Sequence, residues 1–105
     1  LNPLAIFKNL KLENSNIKIY IEDKILNENT GLYSLNNEIS FSNIIEKKAT
    51  YDLRIDIADL VFLITGYFSI DELIELGKID IKNKNIIKKL SKIFNKKNSY
   101  LYEFI

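Results

Sequence analysis

The 105-residue sequence lacks cysteine, histidine, methionine and tryptophan. Without cysteine, the chain can form neither a disulfide framework nor a thiolate metal site. Without histidine, it lacks the commonest general base and the commonest metal ligand. These absences exclude the usual catalytic triads and the usual zinc sites, and we predict no metal site.

The chain also lacks a strong charge of one sign and a long apolar run. Fifteen basic and fourteen acidic residues leave a formal charge of +1, which is too small to attract nucleic acid or a membrane surface. The longest apolar run, Leu60–Ile64, is far shorter than the roughly 20 residues that span a bilayer. No basic-then-apolar leader opens the sequence. We therefore predict a soluble, cytoplasmic protein with no nucleic-acid or membrane partner.

Length and composition favour one domain. Apolar residues make up 47% of the chain and charged residues 28%, so a chain of this length can bury a core of its own. We predict a single domain spanning residues 1–105. Because the sequence begins with Leu1 and contains no Met, we expect it to be a fragment of a longer protein or a processed product.

Two segments alternate apolar and polar residues with a period of two, which is typical of half-buried strands. In the first, Ile17, Ile19 and Ile21 point to one side. The second, Tyr51–Ile57, alternates in the same way. Both segments are predicted to be strands.

Turn residues divide the chain between these two strands. The stretches 27–31 and 36–37 are rich in Asn, with Thr and Gly in the first, so we predict a hairpin with strands at 32–35 and 38–44. Four strands followed by helices predict an α+β fold. We expect the first strand and this hairpin to form a meander, within a mostly antiparallel sheet of four or five strands that carries the helices on one face.

Helix starts and stops are marked by capping residues. A first helix is predicted over residues 3–10, because Asn2 and Pro3 form a typical helix start. Two more short helices are predicted after the last strand, each ended by a glycine. Their caps are Asp56 and Gly66 for the first, and Ser69, Glu72 and Gly77 for the second.

A further helix is predicted from about Lys84. It places Lys88, Lys89 and Lys92 opposite an apolar face. This lysine face favours a solvated surface over a contact with an acidic partner or a membrane.

The helix that starts after Asp56 is apolar over most of its circumference. Such a helix is normally buried against a sheet on one side and against another surface on the other side.

Asp56 and Asp59 could be interpreted as a catalytic pair, but both positions are those that a helix start requires, so capping is favoured. The three glycines stand apart and form no phosphate-binding loop. The residues alone thus predict an α+β domain that binds or scaffolds something.

A set of motifs in the second half of the chain carries a family resemblance. In chain order they are LRIDIADL at 53–60, Gly66 and Tyr67, Ser69, Leu73, Gly77–Ile79 and Leu90–Phe94. They resemble the C-terminal sterol-carrier-protein-like domain of the Eis-type GNAT N-acetyltransferases. Upstream, IKIYIEDKILNENTGLYSL at 17–35 resembles a strand, a turn with Asp and Asn, and the next strand of the same domain.

The resemblance implies that the chain is the C-terminal domain of a longer transferase. The N-terminal acetyltransferase domains of the same chain would bind acetyl-CoA and supply a tyrosine general acid, and an amine would be the acceptor substrate. The parent enzyme would be a homo-oligomer. The fragment itself would hold no cofactor, and we expect the isolated chain neither to bind acetyl-CoA nor to be catalytic.

The resemblance further implies a catalytic role for the end of the chain. The C-terminal carboxylate, here on Ile105, would reach the acetyltransferase cleft and act as the base for the acceptor amine, with Glu103 and Phe104 beside it as substrate-binding residues. Members of the family commonly end in Phe, whereas this sequence adds Ile105 after Phe104. The alternative for this tail is a final packed strand without catalytic function.

A second function remains open, a stand-alone carrier of a lipid or another small apolar ligand. A carrier requires an apolar void of a few hundred Å³ between the sheet and the helices, whereas a scaffold is expected to have a filled core. We favour the scaffold, with the apolar helix packed against the sheet and against neighbouring domains.

Overall fold

A computed structural model describes residues 2–12 and 14–94. Its helices and strands, in chain order, are α1 (Pro3–Asn9), β1 (Ile17–Glu22), β2 (Gly31–Leu35), β3 (Ile39–Ser42), β4 (Leu53–Asp56), α2 (Ile57–Thr65), α3 (Ile70–Glu75), β5 (Asp80–Ile81) and α4 (Ile87–Phe94). Single tight helical turns lie at Asn27–Asn29, Glu46–Lys48 and Lys84–Ile86. The predicted α+β class is confirmed.

The five strands form one mostly antiparallel sheet in the order β3-β2-β1-β4-β5. Only the central pair, β1 and β4, is parallel, with Ile19 opposite Leu53 and Ile21 opposite Ile55. The predicted meander is confirmed for β1 to β3, and the last of the four predicted strands, β4, pairs with β1. This order places the two strands with the strongest apolar alternation at the centre, where both are protected from solvent.

Strand ends differ from the predictions for local reasons. The strand predicted at 38–44 stops at Ser42, because the Ile44 amide donates to the Ser42 carbonyl in a turn. The strand predicted at Tyr51–Ile57 spans only Leu53–Asp56, since Ile57 already begins α2. The two-residue β5 was not predicted, because it is too short to show a period.

The helices pack on one face of the sheet, as predicted. The inner face consists of side chains that alternate along neighbouring strands, and those of Ile17, Ile19 and Ile21 are almost fully buried. Phe7 of α1 reaches this layer and meets the ring of Tyr33 edge-on at 5.7 Å. The remaining buried members of this core include Leu53 and Ile55 of β4, Leu60 and Leu63 of α2, Ile70 and Leu73 of α3, and Leu90 and Phe94 of α4.

The predicted caps are confirmed. The Asn2 side chain accepts the Ala5 amide at the start of α1. Gly66 ends α2 in a left-handed conformation with φ 74°, which glycine adopts without strain. Ser69 and Glu72 form a capping box at the start of α3, each side chain bonding the other residue's amide at 3.1 Å.

The outer face of the sheet is crossed by residues 43–51, here called the strap. It joins β3 at one edge of the sheet to β4 beyond β1, so it must pass over β2 and β1. Tyr20, an outer-face residue of β1, lies beneath it, donates its hydroxyl to the Ile44 carbonyl at 3.1 Å and is only 4% exposed.

Candidate functional site

The predicted site residues Glu103, Phe104 and Ile105 lie outside the described residues. Their role therefore stays a prediction. Within residues 2–12 and 14–94, the most distinctive surface surrounds α2, the apolar helix that the sequence had singled out.

The start of α2 shows what its two aspartates do. Asp56 accepts the Ala58 amide at 3.0 Å and lies 3.9 Å from the Lys24 ammonium. Burial raises the pKa of Asp59, the neighbouring Asp56 charge raises it further, and the Lys78 charge lowers it. The capping interpretation is confirmed for Asp56, and the contacts of this carboxylate are those of a helix start.

The helix α2 has two apolar faces. Its inner face, Leu60, Leu63 and Ile64, is buried in the core. A second row, Ile57, Val61 and Phe62, is half-buried, and Ile57 at its start also packs against the core. We call this row the outer stripe. Burial on the sheet side, expected from the sequence, is thus observed, and the second apolar side remains partly exposed.

Aromatic rings extend the outer stripe at its C-terminal end. Phe62 contacts Tyr67 at 5.2 Å and Phe68 at 5.3 Å between ring centroids, and Tyr67 contacts Phe68 at 4.9 Å. The reversal at Gly66 brings these three rings together. Tyr67 remains 69% exposed, so the cluster presents an aromatic side chain to the surface.

A loop held by internal hydrogen bonds extends the same surface at the other end. Residues 23–30, here called the Asp23 loop, are organised by the buried carboxylate of Asp23. It accepts the amides of Ile25 at 3.0 Å and Leu26 at 2.9 Å, and the side-chain amide of Asn29 at 3.1 Å. Burial would raise the pKa of Asp23, but these hydrogen bonds outweigh it and hold the pKa below the ordinary carboxyl value.

Thr30 closes this loop. Its hydroxyl accepts the Asp23 amide at 2.8 Å and donates to the Asp23 carbonyl at 3.1 Å. The loop is therefore ordered by polar contacts directed inward, while its two apolar side chains point outward. Ile25 is 89% exposed, and Leu26 is also exposed.

An apolar groove of about 300 Å³ lies between the Asp23 loop and α2. Its lining is almost wholly apolar and consists of Asp23, Ile25, Leu26, Ile57, Ala58 and Val61. The groove, the outer stripe and Tyr67 together form one apolar surface along α2, which is the candidate functional site.

A polar cleft of about 360 Å³ lies on the outer face of the sheet. It is lined by Tyr20, Glu22, Asp23, Lys24, Asn27, Thr30 and Glu46. At its edge, Arg54 bonds the carboxylates of both Glu22 and Glu46, the latter from Nε to Oε1 at 2.7 Å. Because Arg54 pairs with both Glu22 and Glu46, these two carboxylates of the cleft are already matched by a positive charge.

The layer between sheet and helices is filled by side chains. The core residues there are 8% exposed or less, and the groove, the polar cleft and a third depression near Asn36 and Ser40 all lie outside that layer. This packing is what the scaffold interpretation requires.

Three further features bear on function. In the part of the chain that the structure describes, no group of three or more acidic side chains could hold a metal ion. No helix found in that part is both apolar enough and long enough to cross a membrane. On α4, Lys88 and Lys92 are exposed, and Lys89 donates to the Ser15 carbonyl at 3.1 Å.

Sequence reasoning assigned no role to Asp23 or Arg54, although both lie in the stretches that carry the family resemblance. A signal for Asp23 was present, since it follows directly after an alternating strand and precedes a turn rich in Asn. Arg54 gave no such signal, because its partners Glu46 and Glu22 lie 8 and 32 positions away and meet it only after the chain has folded.

Comparisons with known proteins bear on this fold. The crystal structure of Eis1 from Mycobacterium abscessus aligns with a TM-score of 0.58 and 18% sequence identity, over 71% of this chain and 18% of that chain. At this identity the likeness shows a shared fold. Among curated proteins, no match was found.

A family model described as a sterol carrier protein domain matches residues 4–102. This match covers nearly the whole chain and agrees with the five-stranded α+β fold. Together with the shared fold of Eis1, it confirms the predicted resemblance to the sterol-carrier-protein-like domain of Eis-type proteins. The chain belongs to the sterol carrier protein domain family.

Proposed function

We propose that the chain is the C-terminal domain of an Eis-type, GNAT-type N-acetyltransferase of the cytoplasm. In this role it packs against the acetyltransferase domains of the same chain, supports their active site and supplies the chain-terminal carboxylate to it. Acetyl-CoA and the acceptor amine bind to the other domains. The 18% of the Eis1 chain that aligns supports a domain that is part of a much longer protein.

The apolar surface along α2 carries this proposal. An isoleucine that is 89% exposed beside a half-buried apolar stripe is unusual for a surface that meets only water, and larger patches of this kind mark interaction sites. The Asp23 loop is held in place before any partner arrives, so little conformational entropy is lost on contact. Both features are expected of a surface that packs against a neighbouring domain.

The terminal carboxylate is proposed as the base for the acceptor amine. A carboxylate enclosed by protein and close to an amine has its pKa tuned by burial and by the opposing charge, which suits it to proton transfer. In this proposal Ile105 carries the carboxylate, and Glu103 and Phe104 lie beside the bound substrate. A homo-oligomeric parent enzyme is part of the same proposal.

The alternative, a stand-alone carrier of a lipid or another small apolar ligand, requires an internal cavity. The filled layer between sheet and helices favours the scaffold. The groove along α2 is open at the surface, whereas a carrier site buries most of its ligand.

The interface is tested with one charged substitution and a matched control. Ile25→Asp places a carboxylate on the proposed interface, whereas Ile45→Asp makes the same change at an exposed isoleucine of the strap. In the isolated 105-residue chain, the free energy of unfolding of both variants should lie within about 0.5 kcal/mol of that of the unsubstituted chain, since both sites are exposed. In the full-length enzyme, Ile25→Asp should lower the melting temperature and kcat, and Ile45→Asp should change neither. Equal behaviour of the two variants in the full-length enzyme would contradict the proposed interface.

A further inference from the structure

The strap differs from the rest of the fold in how it is held. None of the buried core residues lies in the strap, residues 43–51. Ile45 is 60% exposed, and the tight turn Glu46–Lys48 has no buried residue. A segment with so few buried apolar contacts has a low free energy of local opening.

The contacts that do hold the strap against the sheet are polar or aromatic. Arg54 of β4 donates from Nε to Glu46 at 2.7 Å and also bonds Glu22 of β1. The Ile44 carbonyl accepts the Tyr20 hydroxyl, and the Tyr20 and Tyr51 rings lie 6.0 Å apart. Arg54 thus connects the strap to both central strands.

Hydrogen bonds also tie the two ends of the strap, and at its last residue the Tyr51 hydroxyl donates to Asp80 at 3.2 Å. At the start, the Ile44 amide donates to the Ser42 carbonyl at 2.9 Å. After the strap, Asp52 bonds Lys18 twice, once through each residue's amide. The Lys82 amide adds a third bond, to the Asp52 carbonyl at 2.8 Å. The segment between these anchors can therefore move while its ends stay on the sheet.

The position of the strap also sets the shape of the polar cleft. Glu46 forms one wall, Tyr20 and Glu22 form the floor, and the Asp23 loop forms the opposite wall. Without the bond from Arg54, nothing described on the Glu46 side chain holds this wall against the sheet.

We propose that the strap is a lid that opens from the outer face of the sheet without unfolding of the core, and that the Arg54–Glu46 bond is its latch. Opening uncovers Tyr20, releases the Glu46 carboxylate and widens the cleft into an open face. This device is independent of the proposed transferase function, since it depends only on contacts within the chain.

Limited proteolysis by trypsin tests this lid, because Lys47 and Lys48 lie in the strap and Lys18 lies in β1. Cleavage of a transiently opened segment reports the population of its open form. In the parent chain, bonds after Lys47 and Lys48 should be cleaved much faster than the bond after Lys18. Arg54→Met removes the latch and keeps an apolar stem. It should speed cleavage in the strap about tenfold, equivalent to about 1.4 kcal/mol, with no comparable change after Lys18.

Two further variants complete the test. Lys24→Met removes a cation of the same face that pairs with Asp56 and not with the strap, so it should leave both rates unchanged. Glu46→Gln removes the charge of the strap residue that bonds Arg54, while the Arg54–Glu22 pair persists, so it should also speed cleavage in the strap. This variant keeps the proposal testable even if Arg54→Met fails to fold. The proposal is overturned if, in the unsubstituted chain, trypsin cleaves the bonds after Lys47 and Lys48 at the same rate as the bond after Lys18. It is equally overturned if Glu46→Gln leaves strap cleavage unchanged.

Discussion

Tyr33 donates its hydroxyl hydrogen to the Asn29 carbonyl at 2.6 Å. The ring of Tyr33 is buried in contact with Phe7 and Phe41, and Asn29 in turn donates its side-chain amide to Asp23. The bond therefore ties the Asp23 loop, one end of the proposed interface, to the core of the domain.

The Tyr33 hydroxyl predicts a loss of stability at alkaline pH. Burial raises the pKa of Tyr33 to about 12, and the Asp23 charge adds to the shift. Because the folded pKa lies above the ordinary value of about 10, the protonated hydroxyl stabilises the fold at neutral pH. This contribution is lost as the pH rises from about 10 through about 12. Urea unfolding measured along this pH range should show that the free energy of unfolding falls as the pH rises, and that it falls less in Tyr33→Phe than in the unsubstituted protein. An identical fall in both proteins would show that the Tyr33 hydroxyl does not cause it.

The Asp23 carboxylate predicts the opposite dependence at acid pH. Hydrogen bonds to its charged form hold the pKa of Asp23 below the ordinary value, so its contribution is present above about pH 4 and is lost as the pH falls through the folded pKa. Asp23→Asn should lower stability at neutral pH and reduce the acid-dependent loss. Asp56→Asn is the control, since that carboxylate accepts one amide bond at a helix start. If both variants changed the acid profile equally, Asp23 would have no special role in the loop.

Leu60→Asp should be the most damaging single substitution in α2. The side chain is 1% exposed, so the variant buries an unpaired charge and should lose several kcal/mol of stability. Ile25→Asp places the same charge at an exposed site and should be nearly neutral in the isolated chain. Thermal unfolding of both variants measures the contrast, and a Leu60→Asp protein that melts like the parent would show that the inner face of α2 is not core.

Extension of the C-terminus tests the proposed catalytic carboxylate in the full-length enzyme. Where the full-length enzyme ends at Ile105, a few glycines added after it displace the carboxylate, and general-base effects of about 10²- to 10⁴-fold predict a fall in kcat of that order. The fold and the affinity for acetyl-CoA should remain nearly unchanged.

Deletion of Phe104 and Ile105 separates this role from packing. If the tail only packs, the deletion should lower the melting temperature while the glycine extension is tolerated. Full kcat of the extended enzyme across the pH range would remove the terminal carboxylate from the mechanism.

Local features of the fold were predictable because they depend on neighbours in sequence. The alternation at Ile17, Ile19 and Ile21, the Asp56 and Ser69 caps and the left-handed Gly66 each express a short-range rule of backbone geometry. The fold class followed from the order of these elements.

The pairing of β1 with β4 was not predictable in this way. It joins residues far apart in sequence, and a sheet in which β4 paired with β3 would satisfy the same local patterns. The exposure of Ile25 was equally unpredictable from the sequence, because its orientation depends on the Asp23 carboxylate and not on periodicity. The terminal carboxylate entered only through family resemblance, since a backbone end carries no sequence pattern.

The parallel pairing of β1 and β4 has a consequence during synthesis. Lys18 and Asp52, which bond across this pair, are 34 positions apart, so the central pair must close a long loop before it gains any contact. In a nascent chain that has not yet reached Leu53, the sheet consists only of β1, β2 and β3, with β1 as an unprotected edge. The growing chain is therefore most prone to aggregate until β4 and α2 leave the ribosome, and synonymous codons that slow translation just after the strap should raise the insoluble fraction.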